Sequence, residues 1–487
     1  MKLAPRSRPE RPGGREKSKR MSRFHFSENA SMARANENSR RGWKQRAWLV
    51  LGIIVFVGSF QQVYLKWLFP VFGYYGFENS NPKIGYLWLA WGFSVGPALW
   101  MPIKLTRPSQ LIYWVLYLTV FIPSMFVPLY AGLQNAPEVA SLMFFLFLGF
   151  AITGMSYLLP LLTLHPPRIS LRTYRRFFCC LAAGLVLWVL LVFRGNLRIV
   201  SFADVYDLRS AADDVMEGSS VNYAVMWLSA VIGPSLLAWA IVRKRVFVFL
   251  AGVLVQVLVY SATGAKSVVV SIVLVPVLAF VLRDRGASFG LKVGWSCALM
   301  TLVLYLGRSL GGSESLSFWL FSLVFMRTFG NSGLTTAWYY DFFLRNPLTY
   351  YSHIKGVSWF VRYPYTNPLG IEIGSFYSGD PTLDANAHFW ATDGLAAWGL
   401  SGVLLVSVVC ALVFWVLDSS AKGHDLRLAA LVVSFAALNL ANISLFTSLL
   451  SGGLGLLIIL LYFAPRHFAE SVNAQTGYPV MAPLPQP

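Results

Sequence analysis

GLAAWGLSGVLLVSVVCALVFWVL, Gly394–Leu417, runs for 24 residues without a charged side chain. A helix needs about 20 mainly apolar residues to cross the hydrocarbon core of a bilayer, so this stretch reads as a spanning helix. Eleven further stretches of the same kind can be found: Trp48–Leu68, Tyr86–Ile103, Leu111–Tyr130, Ala140–Leu162, Phe177–Phe193, Tyr223–Val242, Val246–Tyr260, Val268–Leu282, Val293–Gly307, Leu428–Asn442 and Phe446–Phe463. The three from Val246 to Gly307 are short and poorly bounded. Bare backbone is costly in lipid, so each stretch is expected to be a helix, and no alternating barrel pattern competes. The fold class expected is all-α: a polytopic membrane protein of about twelve transmembrane helices.

Composition agrees. Of 487 residues, 56% are hydrophobic and 13% charged, with mean hydropathy +0.57, outside the soluble globular range. Orientation follows from the cations. With both termini cytoplasmic, about 29 of the 40 Lys and Arg fall inside and about 11 outside, as the positive-inside rule requires. The net charge of +19 then divides into about +21 on the cytoplasmic face and about −2 on the other. A charge split by membrane side accounts for the basic balance without nucleic acid.

The expected organisation is a disordered basic tail over residues 1–46 that could lie on anionic lipid, a membrane body over 47–465, and a short cytoplasmic tail over 466–487. Met21 and Met32 are alternative starts, and the first helix reads as a retained anchor. Four cysteines, Cys179, Cys180, Cys297 and Cys410, sit in apolar stretches without metal-ligand spacing, so they read as packing residues. Nothing suggests a metal or other cofactor. The two halves do not repeat, unlike many transporters. Instead, two long polar loops, 194–222 and 308–393, fall on the outer side and hold most of its charge.

In the first loop Arg194, Arg198 and Arg209 alternate with Asp204, Asp207, Asp213, Asp214 and Glu217. This reads as a short surface helix, in which Asp213 and Glu217 would share a face. An Arg fork suits diphosphate oxygens, although such charges could equally pair among themselves. Lys266 lies in SATGAKSVVV at a hinge between apolar stretches, where a cation either snorkels or serves a site. Arg308 and Arg327 bracket the half-length apolar element FWLFSLVFMRTFGNSG, which would be re-entrant or surface-bound and would hold both at headgroup depth. Beyond it come Asp341, Arg345, His353 and Lys355. Trp359, Phe360, Tyr363, Tyr365, Phe376 and Tyr377 could stack on sugars, or could be ordinary interfacial aromatics. The loop ends with Asp384, Asn386, His388 and Asp393 before the helix that opened this reading. An acid there could cap the helix, or, beside an imidazole, could take a proton from a sugar hydroxyl.

VYDLR (Val205–Arg209), TGAKS (Thr263–Ser267), the bracketed element and above all ANAHFWATDGLAAWGLSG (Ala385–Gly402) give this chain an order of motifs that resembles the bacterial O-antigen and oligosaccharide repeat-unit polymerases of the Wzy type. Arg345 and Gly356 fit the family's spacing of an Arg, ten residues and a Gly, whereas TGAKS has Lys where an Arg is frequent. The resemblance implies a GT-C-like membrane glycosyltransferase of the bacterial inner membrane. Such an enzyme moves a glycan from one undecaprenyl-diphosphate carrier to the repeat unit on another at the periplasmic face, and a chain-length regulator is a further candidate partner. On this reading Arg308, Arg327, Lys266 and Arg209 hold diphosphate. Asp393 is the first candidate for general base and His388 the second, while Asn386, Asp384, Arg345 and His353 contact sugar or shape the loop. Alternative readings are an O-antigen ligase, which shares the plan and the donor, and a lipid-linked oligosaccharide flippase, which would carry charges deep in several helices.

Overall fold

The computed structural model describes residues 42–200, 208–209, 212, 215–216, 219–284, 286–310, 316–354 and 356–466. Residues 1–41 and 467–487 of the expected tails, Lys355 and the acids Asp204, Asp207, Asp213, Asp214 and Glu217 of the first loop lie outside them, while 42–46 are already helical. The described residues are helical, with no β-sheet.

Ten helices are long and apolar enough to cross a membrane: α1 (Gly42–Tyr75), α3 (Ser109–Ala131), α4 (Ala136–Leu158), α5 (Leu171–Phe193), α6 (Val221–Arg243), α7 (Val246–Thr263), α8 (Lys266–Asp284), α9 (Phe289–Leu310), α12 (Trp390–Ser420) and α14 (Leu445–Phe463). Two shorter apolar helices, α2 (Ile84–Leu99) and α13 (Leu426–Leu440), coincide with the remaining apolar stretches. Most helices overrun their apolar windows. The three short stretches between Val246 and Gly307 become helices of 18, 19 and 22 residues, because polar ends such as Lys266, Lys292 and Arg308 continue the turn beyond the part that hydrocarbon selects.

The connections gather at two ends. At one, Arg46 donates to the carbonyls of Ala98 and Met101, Arg107 to those of Ser156 and Leu159, and Arg466 to that of Leu164. There Asp418, buried, accepts from the backbone and hydroxyl of Ser109 and so caps the start of α3. This basic end also holds Arg172, Arg175, Arg176 and Arg243. The opposite, loop end holds the turns after α1 and α3, the connection from α5 to α6, and everything between α9 and α12.

Two departures from regular helix shape the loop end. The expected half-length element is instead the first part of a continuous helical run, α10 (316–345), whose hydrogen bonding slips to π register over Ser322–Gly330. Its start meets Phe72 of α1 through Phe318, its middle meets Phe56 and Phe60 through Phe329, and Ser332 donates to the Thr119 carbonyl. Gln134 and Glu138, beyond the end of α3, receive its last turns. Its middle therefore reaches farther along its neighbours than its ends do.

The second departure is in α12, which breaks at Trp398 and Gly399. Gly399 adopts φ +63°, open to glycine at no steric cost, and the π-helical turn Trp390–Leu395 folds back on the long part. A Cβ on Gly402 would lie 2.2 Å from the Gly394 carbonyl oxygen. The Gly-rich entry to this helix is thus a fold-back. Gly402→Val is expected to destabilise the protein by about 3 kcal/mol or more, since the obstacle is backbone. Val408→Ala, on the exposed side of the same helix, should stay within about 0.5 kcal/mol; thermal unfolding in mild detergent compares them.

Candidate functional site

The fold-back places Asp393 where no solvent reaches it. Its carboxylate is held from three directions. The Ser444 hydroxyl donates to Oδ1 at 2.9 Å, the Leu445 backbone N–H donates to Oδ2 at 2.6 Å, and His353 Nε2 lies 3.4 Å from Oδ1. Asp393 and Ser444 together cap the start of α14, where orphan N–H groups face the charge. His353 has its other nitrogen, Nδ1, 3.1 Å from the Thr349 hydroxyl and an 11% exposed side chain.

The loop carrying His353 is itself fixed. The backbone N–H groups of Thr349 and Tyr350 donate to the carbonyls of Ala396 and Ala397, which end the folded-back turn. Tyr350 and Tyr351 take left-handed backbone to do so, with φ of 48° and 63°. The imidazole thus has a polar partner on each ring nitrogen, one of them a buried carboxylate.

His388 belongs to a different environment. It is fully buried, with Nε2 2.8 Å from the Thr336 hydroxyl on α10. Burial, partly offset by the Ser332 backbone, pushes it down to about 3, so it is neutral near pH 7.

The remaining candidates sort by position. Asp384 and Asn386 are exposed and hydrogen-bonded to each other, on a segment pressed against α11 (Leu369–Ser378), where Gly370 leaves no room for a Cβ. Arg345 pairs at 2.7 Å with Asp341, a buried acid that also accepts from Tyr377 at 2.6 Å. Tyr377 stacks flat on Trp338, 5.3 Å between ring centres. Trp359, Phe360 and Phe376 are exposed, whereas Tyr365 packs on Phe342 and Phe343.

The cations divide. Arg308 lies over Trp67 at 4.6 Å and Phe318 at 5.3 Å, and Tyr305, one turn earlier on α9, accepts from Lys66 Nζ at 3.1 Å. Lys66 and Arg308 thus share one aromatic-lined corner at the loop end of α1, α9 and α10. Arg327 is exposed on the π-helical part of α10. Lys266, at the start of α8, and Arg209 lie instead towards the second packing cluster, formed by α5, α6 and α7 with Ala212, Val215 and Ala265. Lys66 was not among the sequence candidates. Its signal was a lone cation in the otherwise apolar YLKWLFP.

Among the described residues, no three His, Cys, Asp or Glu side chains gather as a metal site would need. No protein-family model matches the chain, and neither a curated protein nor a solved structure does.

Asp393→Ala is expected to cost about 3–5 kcal/mol, because it strands the Ser444 hydroxyl, the Leu445 N–H and His353 without their acceptor. Asp393→Asn, which keeps one oxygen, should cost less in the same detergent unfolding assay. His388 gives a pH signature. The unfolded chain takes up a proton near pH 6.5 while the fold withholds it to about pH 3, so stability falls as the pH drops through that window, by up to about 1.4 kcal/mol per unit. His388→Gln should flatten this slope.

Proposed function

We propose that this protein is a membrane glycosyltransferase that polymerises polyprenyl-diphosphate-linked oligosaccharide repeat units at the periplasmic face of the bacterial inner membrane. In this reading the chain has a GT-C-like plan and crosses the membrane about twelve times, counting α2 and α13, with the basic end and both termini in the cytoplasm. The observation that carries the reading is the use of α10. One helix begins at the Lys66–Arg308 corner, bears Arg327, and then contacts the loop that leads through His388 to Asp393.

The substrates are amphiphiles whose diphosphate lies at the headgroup boundary. A corner where an ammonium and a guanidinium stand among aromatic rings suits that charge. Lys66, Arg308 and Arg327 bind the donor diphosphate and stabilise the charge that grows on it as the glycosyl bond breaks; Lys266 and Arg209, on the neighbouring unit, hold the second carrier. A leaving diphosphate so neutralised needs no proton.

The acceptor hydroxyl does lose one. That proton goes to the Asp393–His353 pair. Asp393 has both oxygens committed and acts by holding His353 and stabilising its cation; His353, nearer the surface, receives the proton. His388, enclosed and neutral, positions the approach to Asp393. Asn386, Asp384 and Arg345, with the exposed aromatics of the 346–389 segment, line the way for sugars.

The test is the lipid-linked and surface glycan of a strain lacking this gene, complemented with wild type or variants at matched expression. Single repeat units in place of a ladder, restored by wild type, support polymerisation. Arg308→Ala, Arg327→Ala and His353→Gln should each reduce polymer by about a hundredfold, with Asp393→Asn close behind. Full-length polymer that stays on its carrier would favour the ligase reading, and repeats that never reach the outer face would favour a flippase.

A further inference from the structure

A cavity lies at the opposite end from these residues. Helix α5 packs on α6 towards the loop end, where Leu185, Val189 and Phe193 meet Val221, Ala224 and Leu228. Towards the basic end the helices part, leaving a cavity of about 350 Å³ between α5, α6, α7, α13 and α14, within the roughly 300–1,000 Å³ usual for ligand sites.

Its depth and its mouth differ in chemistry. Phe178, Leu236, Val248, Val432 and Leu457 make the depth apolar. At the mouth, Arg175 stands 5.8 Å over the Trp239 ring and is within electrostatic reach of Arg243. Arg172 and Arg176 share a neighbouring hollow with Arg175. A carboxylate beside Arg243 is Asp425, which also caps the start of α13 by accepting from the Leu428 N–H at 2.8 Å. His424 donates through Nε2 to the Leu461 carbonyl at 2.9 Å, and burial holds it below the usual histidine range, so it adds no charge near neutral pH. Among the described residues these guanidiniums outnumber the one carboxylate beside them, so the rim is cationic above an apolar hollow that only sparsely covered α5 separates from lipid.

We infer that this cavity binds an anionic phospholipid from the leaflet at the basic end, with its phosphate on Arg175 and Arg243 and an acyl chain between α5, α6 and α14. A zwitterionic lipid offers the same chains but no net charge for the rim, and a free anion offers nothing for the hollow. Basic pockets between membrane helices recognise anionic headgroups in this way. The site needs none of the residues used by the proposed transfer reaction.

The experiment is native mass spectrometry of the full-length protein in detergent, titrated with dioleoylphosphatidylglycerol or dioleoylphosphatidylcholine. Wild type should retain the anionic lipid at least about tenfold more tightly. Arg175→Gln and Arg243→Gln should each weaken that retention about fivefold and leave the zwitterionic lipid unchanged. Leu236→Trp, which fills the hollow, should lose the bound lipid. An Arg172→Gln, Arg176→Gln double variant, altering only exposed side chains, covers the case in which either single variant misfolds. Equal retention of the two lipids by wild type overturns the inference. So does an anionic preference that persists in the arginine variants, or displacement of the lipid by inorganic phosphate, which would make this a soluble-anion site.

Discussion

A carboxylate sealed from solvent must have every oxygen answered, and Asp393 is answered by residues far away in the chain. Its partners are His353, Ser444 and Leu445. The charge therefore binds the folded-back start of α12, the loop after α10 and the start of α14 into one unit. Removing a buried charge from water is expensive, and only close, directional contacts offset it. That requirement leaves little freedom for the surrounding backbone. It accounts for the left-handed Tyr350 and Tyr351, for the break at Gly399, and for the closeness of Gly394 and Gly402. Two of the left-handed non-glycine residues at the loop end, Tyr350 and Tyr351, lie in the loop that this acid holds.

The second determinant is α10. An apolar helix in a membrane normally runs straight through, but the π register over Ser322–Gly330 lets this one meet both the far end of α1 and the middle of α3. Insertions of this kind change which side chains face a partner without ending the helix. Here the shift separates a face bearing Phe325 and Phe329, packed in the core, from Arg327, left exposed. The following turns present Thr336 to His388, the Tyr339 hydroxyl to the Ala385 carbonyl, and Asp341 to Tyr377. One element thus holds cations at its start and polar contacts at its finish.

Much of this architecture was legible in the sequence, because hydrocarbon selects composition directly: twelve apolar windows correspond to ten long helices and two short ones. Their ends were less so. Lys266 and Arg308 mark where apolar selection stops, yet both are inside helices, since a helix continues past the hydrocarbon as long as its backbone bonds can be made. Of the site, Asp393, His353 and Arg345 could be singled out as polar residues in an outer loop, but their partners could not. Ser444 is 51 residues from Asp393 and Asp341 is 36 from Tyr377, and no local periodicity carries such pairings. Asp341 and Arg345, four apart on a helix, were the one pair with a local signal. Likewise the Gly-rich run at Gly394–Gly402 was visible as a pattern, whereas its meaning as a fold-back depends on the left-handed turn at Gly399.

The two ends of the bundle use charge differently, and the difference follows from what each can pair with. At the loop end acids and bases lie within the fold and meet one another: Asp393 with His353, Asp341 with Arg345. The arginines at the basic end instead spend much of their hydrogen bonding on backbone carbonyls at helix ends, as Arg46, Arg107, Arg427 and Arg466 do. A guanidinium on a carbonyl keeps its full charge, so this pairing stabilises helix ends without neutralising the surface. The potential that remains is what the lipid site inferred beside Arg175 and Arg243 would draw on. At the loop end the charges named here are paired with one another, whereas at the basic end, the Asp284–Lys292 pair apart, the arginines named here bond to backbone and keep their charge.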